Sequence, residues 1–185
     1  MKQFIVGLIA FFSIASANAQ WVPVDKSPLD QIYYPNDYPT AKIRGKLNEP
    51  LRMRVLYSRP SKNNREIFGS DIVPFGEVWR LGANEATEIE FFCPATIQGK
   101  KIPKGRYTLY AIPTEKNWTF IINKDTDAWG AFNYDASKDV VRATVPVEKN
   151  DKPLESLTII FEKSGRGVNL EAGWDKYVAT LPINF

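Results

Sequence analysis

The sequence predicts an all-β protein, an antiparallel β-sandwich or partly open barrel behind a proline-rich N-terminal arm. Three observations carry this prediction. Apolar and polar residues alternate in several short runs. Clusters of Gly, Pro, Asn, Asp and Ser punctuate the chain between those runs. No window holds a helical period across three turns, and Asp71 to Leu81 has room for one short helix at most. Short strands separated by frequent turns fit a sandwich better than alternating strands and helices.

Residues 1–19 read as a secretory signal peptide. Lys2 supplies the positive start, Phe4 to Ile14 is an apolar run, and Ala17-Asn18-Ala19 is a small-residue cleavage site. The run is too short to span a bilayer and no later stretch is longer, so no transmembrane segment is expected. A periplasmic or extracellular location follows as an expectation. Residues 20–50 carry Pro23, Pro28, Pro35, Pro39 and Pro50. Proline fixes φ and removes a backbone donor, which predicts an extended, irregular arm. Its Trp21, Ile32, Tyr33, Tyr34 and Tyr38 predict that it packs on the domain instead of hanging free.

Residues 51–185 are the β domain. Leu51, Met53, Val55 and Tyr57 alternate with Arg52, Arg54, Leu56 and Ser58 as a half-buried strand. The stretch from Thr87 to Phe92 alternates in the same way. Gln98 to Lys101 is a polar turn, Arg106 to Ile112 a strand, and Glu115 to Asn117 a hairpin turn into Trp118 to Asn123. Val140 to Val147, Leu157 to Glu162 and Trp174 to Leu181 are three further strands. Turns are expected at Asp151-Lys152-Pro153 and at Ser164 to Gly167.

Composition narrows the chemistry. The chain has no histidine. Ser-His-Asp and Cys-His nucleophilic systems, imidazole proton shuttles and His-containing zinc sites are therefore excluded. No serine has a lysine three residues on, and neither GxGxxG nor a P-loop pattern occurs, so no nucleotide or other cofactor is expected. Cys93 is the lone cysteine and cannot form an intrachain disulfide; the expected role is a small buried hydrophobe. The net charge is +3, one less without Lys2, and the charges are interspersed. That pattern speaks against nucleic acid as a partner.

Two constellations could carry a site. Asn123, Asp125 and Asp127 space three oxygen ligands like the start of a calcium loop. Ala128 stands where that loop needs Gly and Tyr134 where it needs Glu, so an Asp-rich turn is the better reading. The turn runs on into Trp129, whose neighbourhood is aromatic enough to line a pocket or cap a core. The second constellation is the loop from Pro74 to Thr87, which gathers Trp79, Arg80, Asn84 and Glu85, with Arg59 upstream. Loops held by a rigid scaffold are where binding side chains concentrate. Those five residues and Trp129 are the ligand-binding candidates. Glu85 and Glu88 are the candidate catalytic pair, because glycoside hydrolysis needs two carboxyls flanking one bond. A purely structural alternative is an Arg80–Glu85 ion pair that orders the loop, with Trp79 in the core.

Four segments together resemble a known family. They are Tyr57-Ser58-Arg59-Pro60 with Arg65-x-Ile67-Phe68-Gly69, then Val73 to Thr87 with its Trp-Arg-x-Gly-Ala-Asn-Glu-Ala-Thr core, then Lys104 to Tyr110, and finally Trp129-Gly130 with Tyr134-Asp135. This pattern is similar to the bacterial family catalogued as domain of unknown function 2911. The resemblance implies export and brings no assigned activity and no catalytic residues.

The leading expectation is an exported, non-enzymatic module that binds a small molecule, a glycan or an envelope protein through the Trp79–Glu85 loop. One alternative is a carboxylate-based hydrolase of glycans. Another is a structural subunit of a cell-envelope assembly, docked through the proline-rich arm.

Overall fold

Nine antiparallel strands build one open sheet in the computed structural model, which describes residues 22–165 and 167–185. The signal peptide expected at 1–19 and Trp21 lie outside the described residues. The strands are β1 (Leu29–Tyr34), β2 (Met53–Ser58), β3 (Glu88–Phe91), β4 (Ala95–Ile97), β5 (Lys100–Ile102), β6 (Gly105–Pro113), β7 (Asn117–Asn123), β8 (Asp139–Ser164) and β9 (Gly167–Asn184). Their order across the sheet is β1-β2-β3-β6-β7-β8-β9-β4-β5. Alternation does what the sequence predicts: Met53, Val55 and Tyr57 of β2 and Ile89 and Phe91 of β3 all point into one core.

The sheet closes on that core because its two longest strands bend. Asp151-Lys152-Pro153, expected as a turn between two strands, is instead strand, and the pairing of β8 with β9 shifts register on either side of Leu154. Asp175 of β9 adopts a left-handed φ of 52° at the same level. The bend carries Leu157, Ile159 and Phe161 over the inner face of β2. There Ile159 N donates to Tyr57 Oη (3.1 Å), and Ser61 bridges Ser156. Trp118, Trp174, Phe68 and Trp79 meet at the centre, with Phe68 and Trp79 5.7 Å apart edge to face.

The N-terminal arm is more regular than its prolines suggest. Leu29–Tyr34 is proline-free between Pro28 and Pro35, and it pairs along its whole length with β2 as an edge strand. A six-residue helix, α1 (Tyr38–Ile43), follows with proline in its first turn. No helix forms between Asp71 and Leu81, and among the described residues no helix is long and apolar enough to cross a membrane. Cys93, expected to be buried, is half-buried just past the end of β3.

Candidate functional site

The loop singled out in the sequence is an excursion from the edge of β6. Trp79 and Ala111 exchange backbone hydrogen bonds of 2.7 and 2.9 Å, and Leu109 N donates to Thr87 O at 2.8 Å. The chain thus leaves β6 at Trp79 and rejoins it at Thr87. Thr87 closes the neck: its N donates to Arg80 O (3.0 Å) and its Oγ1 to Leu81 O (2.7 Å). Leu81 and Asn84 take left-handed φ values of 53° and 58°, which turn the chain back within so few residues. Asn reaches this region at little cost, whereas Leu is held there by complete burial.

A second loop, between β7 and β8, lies alongside. Ala86 N donates to Ala128 O and Gly130 N to Asn84 O, both at 2.9 Å, placing Glu85 directly opposite Trp129. Directly opposed residues of an antiparallel pair present their side chains on one face. The two candidates far apart in sequence therefore stand side by side, and both are exposed.

The remaining candidates separate. Trp79 is core, 6% exposed, stacked on Trp174 and edge-on to Trp118, and its indole N–H donates to Gly82 O. It faces no ligand. Arg59 is half-buried and committed to the scaffold: its guanidinium donates to Asp30 Oδ2 (3.0 Å), Leu157 O (3.2 Å) and Thr158 Oγ1 (3.0 Å). That fork ties β1 and β2 to the bent half of β8. Arg80 is half-buried beside Gly130, and its Nε is buried without a protein acceptor. Burial pushes its guanidinium below the usual value. The expected Arg80–Glu85 pair does not form, because Glu85 turns outward beside Trp129.

The calcium-like triplet does not converge either. Asn123 is fully buried and donates to Asp139 Oδ1 and Asp135 O. Asp125 accepts from Lys138 Nζ at 2.9 Å, and Asp127 accepts from Arg106 Nη2 at 2.5 Å. Each oxygen faces its own donor, and among the described residues no three acidic or sulfur side chains stand close enough to share an ion. Asp139 also accepts from Tyr134 Oη (2.7 Å), whose phenol is pushed up to about 12 by burial and by that bond.

What does converge is a pair of cavities between the two loops and the arm. The inner one, about 180 Å³, is walled by Ser58, Glu85, Glu88, Thr108 and Asp127. The outer one, about 350 Å³, is walled by Asp25, Ser58, Asn84, Glu85 and Trp129. Both candidate catalytic carboxylates thus line one space. Glu88 is paired with Arg106 (3.3 Å), and burial raises its carboxyl above the usual range against that cation's pull. Ser58 belongs to both walls, is 1% exposed, and has a buried Oγ without a hydrogen-bond partner.

Sequence reasoning missed Asp25, Ser58 and Thr108. Ser58 sits at an outward position of β2, where alternation predicts exposure, and Leu29 and the neighbouring loops roof it over. Asp25 lies in the stretch read as irregular. Only the pairing of β1 with β2 brings it to the site.

No curated protein and no solved structure matches the chain. A family model does, over residues 38–183, described as protein of unknown function (DUF2911), and it covers the loop from Pro74 to Thr87, β6 and the Trp129 loop together. The chain belongs to the DUF2911 family.

Proposed function

We propose that this protein is an exported, non-enzymatic binding module that takes a small polar ligand in the paired cavities beside Trp129. One observation carries the reading: two adjoining cavities share a wall of Leu29, Ser58 and Glu85, with Glu88 and Asp127 lining the inner one and Asp25 and Trp129 the outer one. Small-molecule sites are concave, with a few polar groups fixing orientation and apolar surface supplying contact area. Leu29, 56% exposed, and Trp129, 62% exposed, offer that apolar surface at the outer cavity. The signal-peptide pattern read in residues 1–19 supports export.

The test is amide NMR on the purified chain with three probes of different charge: N-acetylglucosamine, spermidine and acetate. Saturable shifts at Ser58, Ala86, Glu88 and Ala128 together are the expected result with at least one probe. If no probe moves these four amides, the binding reading falls.

Glycan hydrolysis is a second reading, favoured by the shared cavity of Glu85 and Glu88 and by the raised carboxyl of Glu88, since a general acid must hold its proton. Arg106 at 3.3 Å opposes it by favouring the ionised form. Release of nitrophenol from 4-nitrophenyl glycosides, lost in Glu88→Gln, would support this reading; no turnover above buffer would remove it.

A further inference from the structure

The charges around the two cavities are one-sided. Asp25, Glu85, Glu88 and Asp127 contribute to the walls, and no lysine or arginine does. Arg106 reaches Glu88 (3.3 Å) and Asp127 (2.5 Å) and so answers the inner carboxylates. Asp25 and Glu85, both exposed in the outer wall, have no ion pair among the described residues. Ser58 lies in the wall common to the two cavities and is itself buried. The exposed indole of Trp129 stands beside Glu85 across the loop pairing. Carboxylates next to an aromatic face form the environment in which an ammonium group is held by charge and by the ring's quadrupole.

A bare metal ion fits this arrangement poorly. A hard cation favours several carboxylates converging on one point, and among the described residues no three His, Cys, Asp or Glu side chains do so. Here the carboxylates are spread along two cavities that share Leu29, Ser58 and Glu85 as a common wall. An elongated organic cation matches spread charge with apolar surface between.

Resting on the binding reading above, we propose that the ligand carries an alkylammonium group, seated on Trp129 between Asp25 and Glu85. The inner carboxylates then face the far end of the ligand chain. Glu88 fits this role, because a cation arriving in the inner cavity favours the ionised carboxylate that burial opposes.

Calorimetric titration of the purified chain with spermidine tests the proposal, with an acetylated, amidated trilysine peptide as the second cationic probe and N-acetylglucosamine as the neutral one. The expected result is saturable spermidine binding that weakens with added NaCl. It should also weaken about tenfold in Glu85→Gln, the loss of one charge-assisted contact. Trp129→Ala should weaken it too, whereas Glu77→Gln, an exposed carboxylate outside both cavities, should not. Binding of the peptide in place of spermidine keeps the ammonium assignment and identifies its source as a protein lysine side chain. Binding of N-acetylglucosamine alone, sensitive to Trp129→Ala, overturns the ammonium assignment and leaves the binding reading standing. Absence of binding by all three probes removes the ammonium assignment.

Discussion

Trp79 and Trp174 lie stacked at the centre of the core, ring centroids 6.1 Å apart and planes 16° from parallel. The loop that carries the Trp-Arg-x-Gly-Ala-Asn-Glu-Ala-Thr segment is thereby anchored at its start by a core side chain. Its outward-facing residues come later, at Asn84 and Glu85, where the loop meets Trp129. One segment divides into an anchor and a surface, and the two halves should respond differently to substitution.

Removing the anchor should unfold the protein more than it alters any surface property. Trp79→Ala should cost about 3–5 kcal/mol, the usual range for truncating a buried large aromatic. Trp129→Ala should change stability by no more than about 0.5 kcal/mol, since a mostly exposed side chain contributes little to folding. Urea unfolding of the two variants, compared at constant m-value, measures the contrast. Equal losses would show that the loop is not divided in this way.

Glu88 should impose a pH dependence with a defined sign. Its folded carboxyl is raised above the ordinary value of 4.5, first by burial, with Asp127 and Glu90 adding to the rise and Arg106 and Arg54 opposing it. The folded state therefore holds this proton more tightly than the unfolded chain. Its contribution to stability is fully present below about 4.5, the unfolded value, and is lost as pH rises through the folded value. Glu88→Gln cannot lose that contribution. Relative to the variant, the wild type should therefore be at its best in acid and fall behind across that window. Thermal melts of both proteins from acid to neutral pH check it, and a parallel pair of curves would contradict the raised carboxyl.

Arg80 should be replaceable at a gain. Its Nε is buried without a protein acceptor, and no carboxylate pairs with its guanidinium among the described residues. An unmet buried donor costs about 1–3 kcal/mol. Arg80→Met keeps the aliphatic stem and discards the donor, so it should stabilise the fold by about 1 kcal/mol, or about 2–4 °C in Tm for a chain of this size. A lower Tm would show that the guanidinium is satisfied by contacts other than protein hydrogen bonds.

Much of the fold was legible in local pattern, and the reason is visible in particular strands. Met53, Val55 and Tyr57 are spaced by two, so any sheet that buries one buries all three. Gln98-Gly99 turns β4 into β5 with both residues at positive φ, as a type I′ two-residue hairpin requires. Two elements misled. The prolines of the arm drew attention away from the proline-free run Leu29–Tyr34, and Asp151-Lys152-Pro153 has the composition of a turn while serving as a bend within β8. In both cases the partner strand decides, and composition does not register the partner.

The candidate site divides along the same line. The sequence by itself determined the residue types, the absence of histidine chemistry, and the loop on which Glu85 and Trp79 sit, because these are properties of the chain read locally. Tertiary structure alone decided that Trp79 points inward to Trp174 and that Arg59 is spent on Asp30, Leu157 and Thr158. It also decided that Asp25, Ser58, Glu85, Glu88, Asp127 and Trp129 share two cavities. Those residues come from four segments whose convergence depends on the pairing of β1 with β2 and of the Glu85 loop with the Trp129 loop. A cavity is a relation between segments distant along the chain, and local sequence pattern fixes only what each segment brings to it.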